Sequence, residues 1–228
     1  MKHFEQKLES LKRQVTEMGA AVESMLDCAA TALLDRNAET IQRVIAIEPR
    51  IDQFQIEIDT EAIRLITIYA PIARDLRFLL MVARINSELE RIGDQALNNC
   101  EYLDQLPPAP RRQPLGDLSR MSEIARNMVH EALQAFIDED IVRARHVVAA
   151  DDEIDALFVR TFKDLLIEGS ADPAIVNESM TMILLARSLE RIADHATNIS
   201  EEVIYLVKGE DIRHRHDEDR PHPGSGEV

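Results

Sequence analysis

The chain contains two copies of one pattern, and that duplication leaves few folds open to it. At an offset of 103 residues, Met18 meets Met121, Met25 meets Met128, Asp35 meets Asp138, and Ile51-Asp52 meets Ile154-Asp155. Further along the offset becomes 100. There Leu89-Glu90-Arg91-Ile92-Gly93-Asp94 meets Leu189-Glu190-Arg191-Ile192-Ala193-Asp194, with Asn98 against Asn198 and Glu101 against Glu201. A length change of three residues near the middle hairpin absorbs the difference. Self-similarity of this kind marks one structural unit used twice.

Apolar spacing identifies the unit. Phe4, Leu8, Leu11, Val15, Met18, Val22, Met25, Ala29 and Ala32 recur at alternating steps of four and three, the seam of a long helix packed at a shallow angle. Asp35-Arg36-Asn37 breaks it. A second helix is predicted over 38–69, ended by Ala70-Pro71 because proline cannot continue the hydrogen-bond ladder, and a third over 73–103. After Pro107-Pro108-Ala109-Pro110 the seam restarts at Leu118, Met121, Ala125, Met128, Ala132 and Ala135, and Asp138-Glu139-Asp140 breaks it. The next helix is predicted over 141–167, stopped by Gly169-Ser170-Ala171-Asp172-Pro173, and the last over 174–207, stopped by Gly209. The expectation is an all-α fold: two tandem antiparallel three-helix bundles related by internal duplication. The divisions are a first repeat at 1–104, a Pro-rich linker at 105–115, a second repeat at 116–209 and a disordered polar tail at 210–228. His214, His216 and His222 in that tail receive no role.

Composition agrees and excludes several functions. With no Trp, 4 % aromatics and 7 Gly in 228 residues, the chain lacks the residues sheets favour. A net charge of −16 repels nucleic acid and anionic membrane surfaces, and the densest basic cluster, Arg111-Arg112, is too small to offset it. The first residues carry no apolar core like that of a signal peptide. Stretches such as Phe78–Ala83 and Met180–Ala186 fall far short of the roughly 20 residues a spanning helix needs. A cytoplasmic location follows as an expectation. Cys28 and Cys100, without CxxC spacing, read as buried thiols in a reducing compartment.

The carboxylates carry the chemistry. Glu90 and Asp94 lie four apart, on one helix face, and so do Glu48 and Asp52 on the preceding helix. Folding the hairpin at Pro71 sets Glu48 opposite Asp94 and Asp52 opposite Glu90. In the second repeat, folding between Asp172 and Pro173 sets Asp151 opposite Asp194 and Asp155 opposite Glu190. Those turns are located from Pro and Gly, independently of the acids. Any one of the eight alone reads as a solvated helix face. Together they repel by a few tenths of a kcal/mol per pair on one helix, and helix packing at about 8–10 Å adds cross-helix repulsion. Arg91 and Arg191 lie about 100° round the helix from their neighbouring Glu, so a multivalent cation neutralises the set more directly. Oxygen-only donors suit Mg²⁺, Ca²⁺, Mn²⁺ or ferric iron rather than thiolate-bound zinc. His195 points off the shared face. No His has a Glu three residues before it, as a di-iron carboxylate enzyme would require, and neither a Gly-rich phosphate loop nor a Ser/His/Asp or Cys/His grouping is recognisable.

Three segments, Pro71-Ile72-Ala73-Arg74-Asp75-Leu76-Arg77, Glu88-Leu89-Glu90-Arg91-Ile92-Gly93-Asp94 and Leu189-Glu190-Arg191-Ile192-Ala193-Asp194-His195-Ala196-Thr197-Asn198-Ile199, make the chain resemble the PhoU family over roughly 1–209. The resemblance implies a cytoplasmic homodimer that represses the phosphate-starvation response, without enzymatic activity. Its implied partners are the ATPase subunit of the phosphate ABC transporter and a sensor histidine kinase. It also implies metal sites at Glu48, Asp52, Glu90 and Asp94 and at Asp151, Asp155, Glu190 and Asp194, filled in some relatives by multinuclear iron or zinc clusters; Mn or Mg would suit the same oxygens. The sequence departs from the family at Ala193, usually Gly, and at Asn99, usually Ile. The competing function from another class is a metal-dependent oxidase or metal store.

Overall fold

The computed structural model describes residues 2–106 and 115–209. These form six long helices and one short 3₁₀ turn, with no strand among them: α1 (Lys2–Asp35), α2 (Ala38–Tyr69), α3 (Ala73–Gln105), α4 (Leu115–Asp138), α5 (Ile141–Ala171), the turn Pro173–Ile175, and α6 (Val176–Lys208). The Pro-rich stretch and the polar tail expected from the sequence lie, from 107 to 114 and from 210 on, outside the described residues.

Local chemistry explains the breaks. At the first corner Asn37 accepts a hydrogen bond from the Glu39 amide at 2.9 Å, and Asp140 does the same for Val142 and Arg143 at 2.9 and 3.1 Å. Both supply an acceptor to the unpaired amides of a helix start. The residues just before them, Arg36 and Glu139, both adopt the left-handed backbone region, so the duplication extends to turn geometry. Pro49 stands inside α2. The helix runs through it although the ring removes the bond to the Ile45 carbonyl.

One expected stop is corrected. Helix α5 does not end before Gly169 but runs through it to Ala171. A Cβ on Gly169 would stand 3.2 Å from the Cβ of Ser179, so the glycine serves the close approach of α6 rather than termination. The turn belongs instead to Asp172, whose side chain accepts from the Ala174 amide at 2.9 Å, and to Pro173. Helix α6 therefore begins at Val176, after the 3₁₀ turn, and α3 runs on to Gln105.

The two seams read from spacing are core. Leu11, Val15, Met18, Val22, Met25, Ala29 and Ala32 of α1 are buried, as are Leu118, Met121, Ala125, Met128, Ala132 and Ala135 of α4; Phe4 and Leu8 pack partly buried against them. Cys100 is buried, which pushes its thiol up to about 11, whereas Cys28 is only half-buried. Helices α1–α3 pack on one another, as do α4–α6, and the two bundles join through α3 against α6 and α1 against α4. A pseudo-twofold relates them. Glu88 of α3 meets His195 of α6 at 2.7 Å, and the equivalent Ser188 donates to Gln95 at 3.0 Å. Arg77 donates to the Leu206 carbonyl at 3.0 Å, and Arg84 pairs with Glu202 at 3.0 Å.

Between α1 and α4 the approach is close enough that a Cβ on Gly19 would stand 2.6 Å from Leu133 Cδ2. Overpacking of this kind costs about 1–3 kcal/mol. Gly19→Val is therefore expected to lower the urea midpoint of the whole chain with its m-value unchanged; an unaltered midpoint would mean that the two bundles do not pack tightly here.

Candidate metal centre

Helical spacing and hairpin register place the eight carboxylates in two grooves, one between α2 and α3 and one between α5 and α6. In the first groove burial raises the carboxyl of Glu48, and the charges of Asp52 and Asp94 raise it further. Burial followed by Asp94 and Asp52 does the same to Glu90, and burial followed by Asp52 to Asp94. These cross-helix influences are those expected of acids facing each other in one hairpin.

The second groove is deeper. Burial, with the charges of Asp155 and Asp194, pushes Asp151 up to about 6, opposed by a 3.4 Å hydrogen bond from Thr197. Glu190 is pushed up to about 7 by burial and by Asp194, against the opposing charge of Arg187. Asp194 rises through burial and Asp155. Glu190 is only 7 % exposed. Its Oε1 accepts from Arg187 at 2.8 Å, while Oε2 is buried with no hydrogen-bond partner. A buried carboxylate oxygen left without a donor is costly, and a cation at that position would satisfy it.

Among the described residues no three His, Cys, Asp or Glu side chains converge closely enough to grip an ion as their rotamers stand. Like charges favour splayed rotamers, and Glu48 and Glu90 of the first groove are only half-buried. The donor set is all oxygen and partly desolvated, and it fits a hard cation.

Arg91 lies 3.4 Å from Glu88, in keeping with its position off the face of Glu90. Spacing alone did not single out Arg187, although three residues before Glu190 is a contact distance on a helix; its first-repeat equivalent is Ser87. Nor did it single out Glu88, which accepts from Asn198 at 3.0 Å besides meeting His195. Burial works against ionising Glu88, but these hydrogen bonds and the charges of His195 and Arg91 hold its carboxyl below the usual range. The α3–α6 register brings Asp94 level with Glu190, so both grooves lie in one stratum of the molecule.

A model of the PhoU domain matches residues 15–103 and 118–203, one match per bundle. The chain belongs to the PhoU family. A phosphate-specific transport system accessory protein PhoU homolog of Aquifex aeolicus is 36 % identical over 216 residues, covering 95 % of this chain and 97 % of that one. The homolog of Burkholderia sp. is 35 % identical, covering 92 % and 91 %. Among solved structures, PhoU from Pseudomonas aeruginosa superposes with a TM-score of 0.85 at 32 % identity, covering 91 % of this chain and 100 % of that one. The phosphate transport system regulatory protein PhoU from Streptococcus pneumoniae superposes at 0.84 and 26 %, covering 92 % and 99 %. The family's members by those names are accessory and regulatory proteins of phosphate transport. At the two departures from PhoU usage, Ala193 is fully buried and Asn99 is buried with its Oδ1 unpartnered, beside a narrow apolar cavity lined by Leu26, Leu33, Leu185 and Leu189. Among the described residues no helix is long and apolar enough to cross a membrane.

The raised carboxyls fix a sign. A group whose folded pKa exceeds its unfolded one favours folding most below the unfolded value, and loses that contribution as pH rises through the folded value. In chelator, the protein's melting temperature is expected to fall as pH rises through the range of Asp151 and Glu190, about 6 to 7. The variant Asp151→Asn with Glu190→Gln should flatten that slope and melt higher at pH 8. A slope that persists in the variant would assign it to other groups.

Proposed function

We propose that this chain is a negative regulator of phosphate uptake and of the phosphate-starvation response, acting in the cytoplasm as a homodimer, by contact and not by catalysis. Its partners are the ATPase subunit of the phosphate ABC transporter and a sensor histidine kinase. The observation that carries the reading is the pair of equivalent carboxylate grooves, one per repeat, on a chain of the PhoU family. Two like faces suit a protein that bridges two others.

Glu48, Asp52, Glu90 and Asp94 would hold one cation site, and Asp151, Asp155, Glu190 and Asp194 the other. Iron, manganese, magnesium or zinc, when bound, supplies the positive charge that cancels the groove's own. The protein's residues do the rest. The hairpins hold each set of four at one level, Arg187 orients Glu190, and the α3–α6 seam fixes the distance between grooves. A loaded groove is close to neutral and a stripped one repels an acidic partner, so the surface presented to partners depends on cation load.

Two measurements test this. Elemental analysis after dialysis should show that Glu90→Gln with Asp94→Asn loses one class of bound cation and keeps the other; equal content in variant and wild type would remove the first site. In cells with abundant phosphate, deletion should leave a phosphate-starvation reporter switched on, and neutralising both grooves together should do the same with helical circular dichroism intact. Normal repression in the deletion strain would end the regulatory reading.

A further inference from the structure

The two sides of the pseudo-twofold are filled differently where the bundles meet. On one side Leu133 of α4 reaches Gly19 of α1 so closely that a Cβ there would stand 2.6 Å from Leu133 Cδ2, and Phe136 and Ile199 are fully buried. The counterparts across the axis, at offsets of 103 and 100, are Ala30 for Leu133, Leu33 for Phe136, Ser122 for Gly19 and Asn99 for Ile199. Two large apolar side chains have shrunk, and two polar ones stand in. All four counterparts line one narrow cavity with about 10 Å³ of free space, enclosed by α1, α3, α4 and α6. Smaller side chains in one half of a duplicated core leave such a gap because a packed interior relaxes only in part.

The cavity is not purely apolar. Asn99 and Ser122 are only 5 % and 6 % exposed, and Asn99 Oδ1 is buried without a hydrogen-bond donor. Leaving such an acceptor unsatisfied is costly. Apart from these two residues and Arg126 the lining is aliphatic, so the side-chain donors beside Asn99 are the Ser122 hydroxyl and the guanidinium, neither of which bonds its Oδ1. Arg126 and Leu26 also line a polar cleft of about 290 Å³ between α1 and α4. There Arg126 pairs with Asp27, and His130 meets Glu23 at 2.7 Å. Asp27 and His130 are exposed, so the Arg126 side chain separates the inner cavity from a cleft open to solvent.

A free space of about 10–15 Å³ accommodates one water molecule, provided two to four polar groups surround it. Both conditions hold at Asn99, Ser122 and Arg126. We infer that the cavity binds a single water molecule, which donates to Asn99 Oδ1, bonds the Ser122 hydroxyl and so joins α3 of the first bundle to α4 of the second. Its route in and out passes the Arg126 side chain. Across the axis there is no equivalent site, because Ile199 offers no polar side-chain atom and Leu133 takes up the space. Hydration here follows from how the two halves diverged and not from the fold they share. It depends neither on the acidic grooves nor on the regulatory reading.

Two measurements on the full chain test this. In crystals, a peak of one oxygen atom is expected within hydrogen-bond distance of Asn99 Oδ1, and pressurising with xenon should leave it in place. No density there, xenon at that position, or density larger than one water would each overturn the inference, since an apolar gap stays dry and takes up xenon. In solution, magnetic relaxation dispersion of the water signal counts long-lived internal waters. Asn99→Leu, with helical circular dichroism intact, removes the acceptor at similar volume and should lose one water from that count. Ser122→Ala adds no bulk, so it stands in if Asn99→Leu does not fold; it should lose the same water or shorten its residence time. Equal dispersion in the wild type and in both variants would overturn the inference as well.

Discussion

Helix α3 lies antiparallel to α6 across a pseudo-twofold, and this packing positions everything else. Each of the two is the inner helix of its own bundle and also the wall against which the other bundle rests. Burying an apolar stripe is the dominant favourable contribution in such a fold, and here one continuous core includes residues of all six helices. The seam also sets the level of the carboxylates. Had α3 and α6 slipped by one turn, Asp94 and Glu190 would no longer lie in one stratum and the two grooves would not present themselves side by side.

Against that framework the acidic grooves are a standing cost. Desolvation and mutual repulsion favour the protonated forms of Glu48, Glu90 and Asp94 in the first groove and of Asp151, Glu190 and Asp194 in the second. The two repeats bear this differently. The first keeps its acids nearer solvent. The second buries Glu190 and sets Arg187 against one of its oxygens while leaving the other without a partner. A fold held by an extensive apolar core tolerates such local destabilisation, which is how polar sites with a task are generally retained.

Much of this was legible in the sequence because the physical rules involved are periodic. The four-three spacing of Leu11 to Ala32 and of Leu118 to Ala135 reports buried stripes directly, and Ala70-Pro71 and Asp172-Pro173 locate the hairpins well enough to align the acids across them. What was not legible came from close approach and long-range pairing. Gly169 looks like a stop signal, and only the position of Ser179 shows that it is a contact. Pro49, a residue that breaks most helix interiors, is carried inside α2. His195 can be placed off the acidic face by its angle, but no local rule links it to Glu88, which is distant in sequence and next to it in space. Ser87 and Arg187 occupy equivalent positions, and only the packed structure reveals which of them meets a carboxylate.

The paired polar contacts at the centre of the seam act as a lock between unlike halves. In the native arrangement Glu88 meets His195 and Ser188 meets Gln95. Two first repeats joined by the same axis would place Glu88 against Gln95 twice and leave a half-buried carboxylate without its imidazole. Two second repeats would place Ser188 against His195 twice. Each like-with-like assembly forfeits the charge-assisted bond, and discrimination of this kind rests on what the wrong combination leaves unsatisfied. A tandem duplication whose halves remained identical would be free to exchange halves between neighbouring chains as they emerge during synthesis. Divergence at four positions favours a first half against a second half over either half against its like.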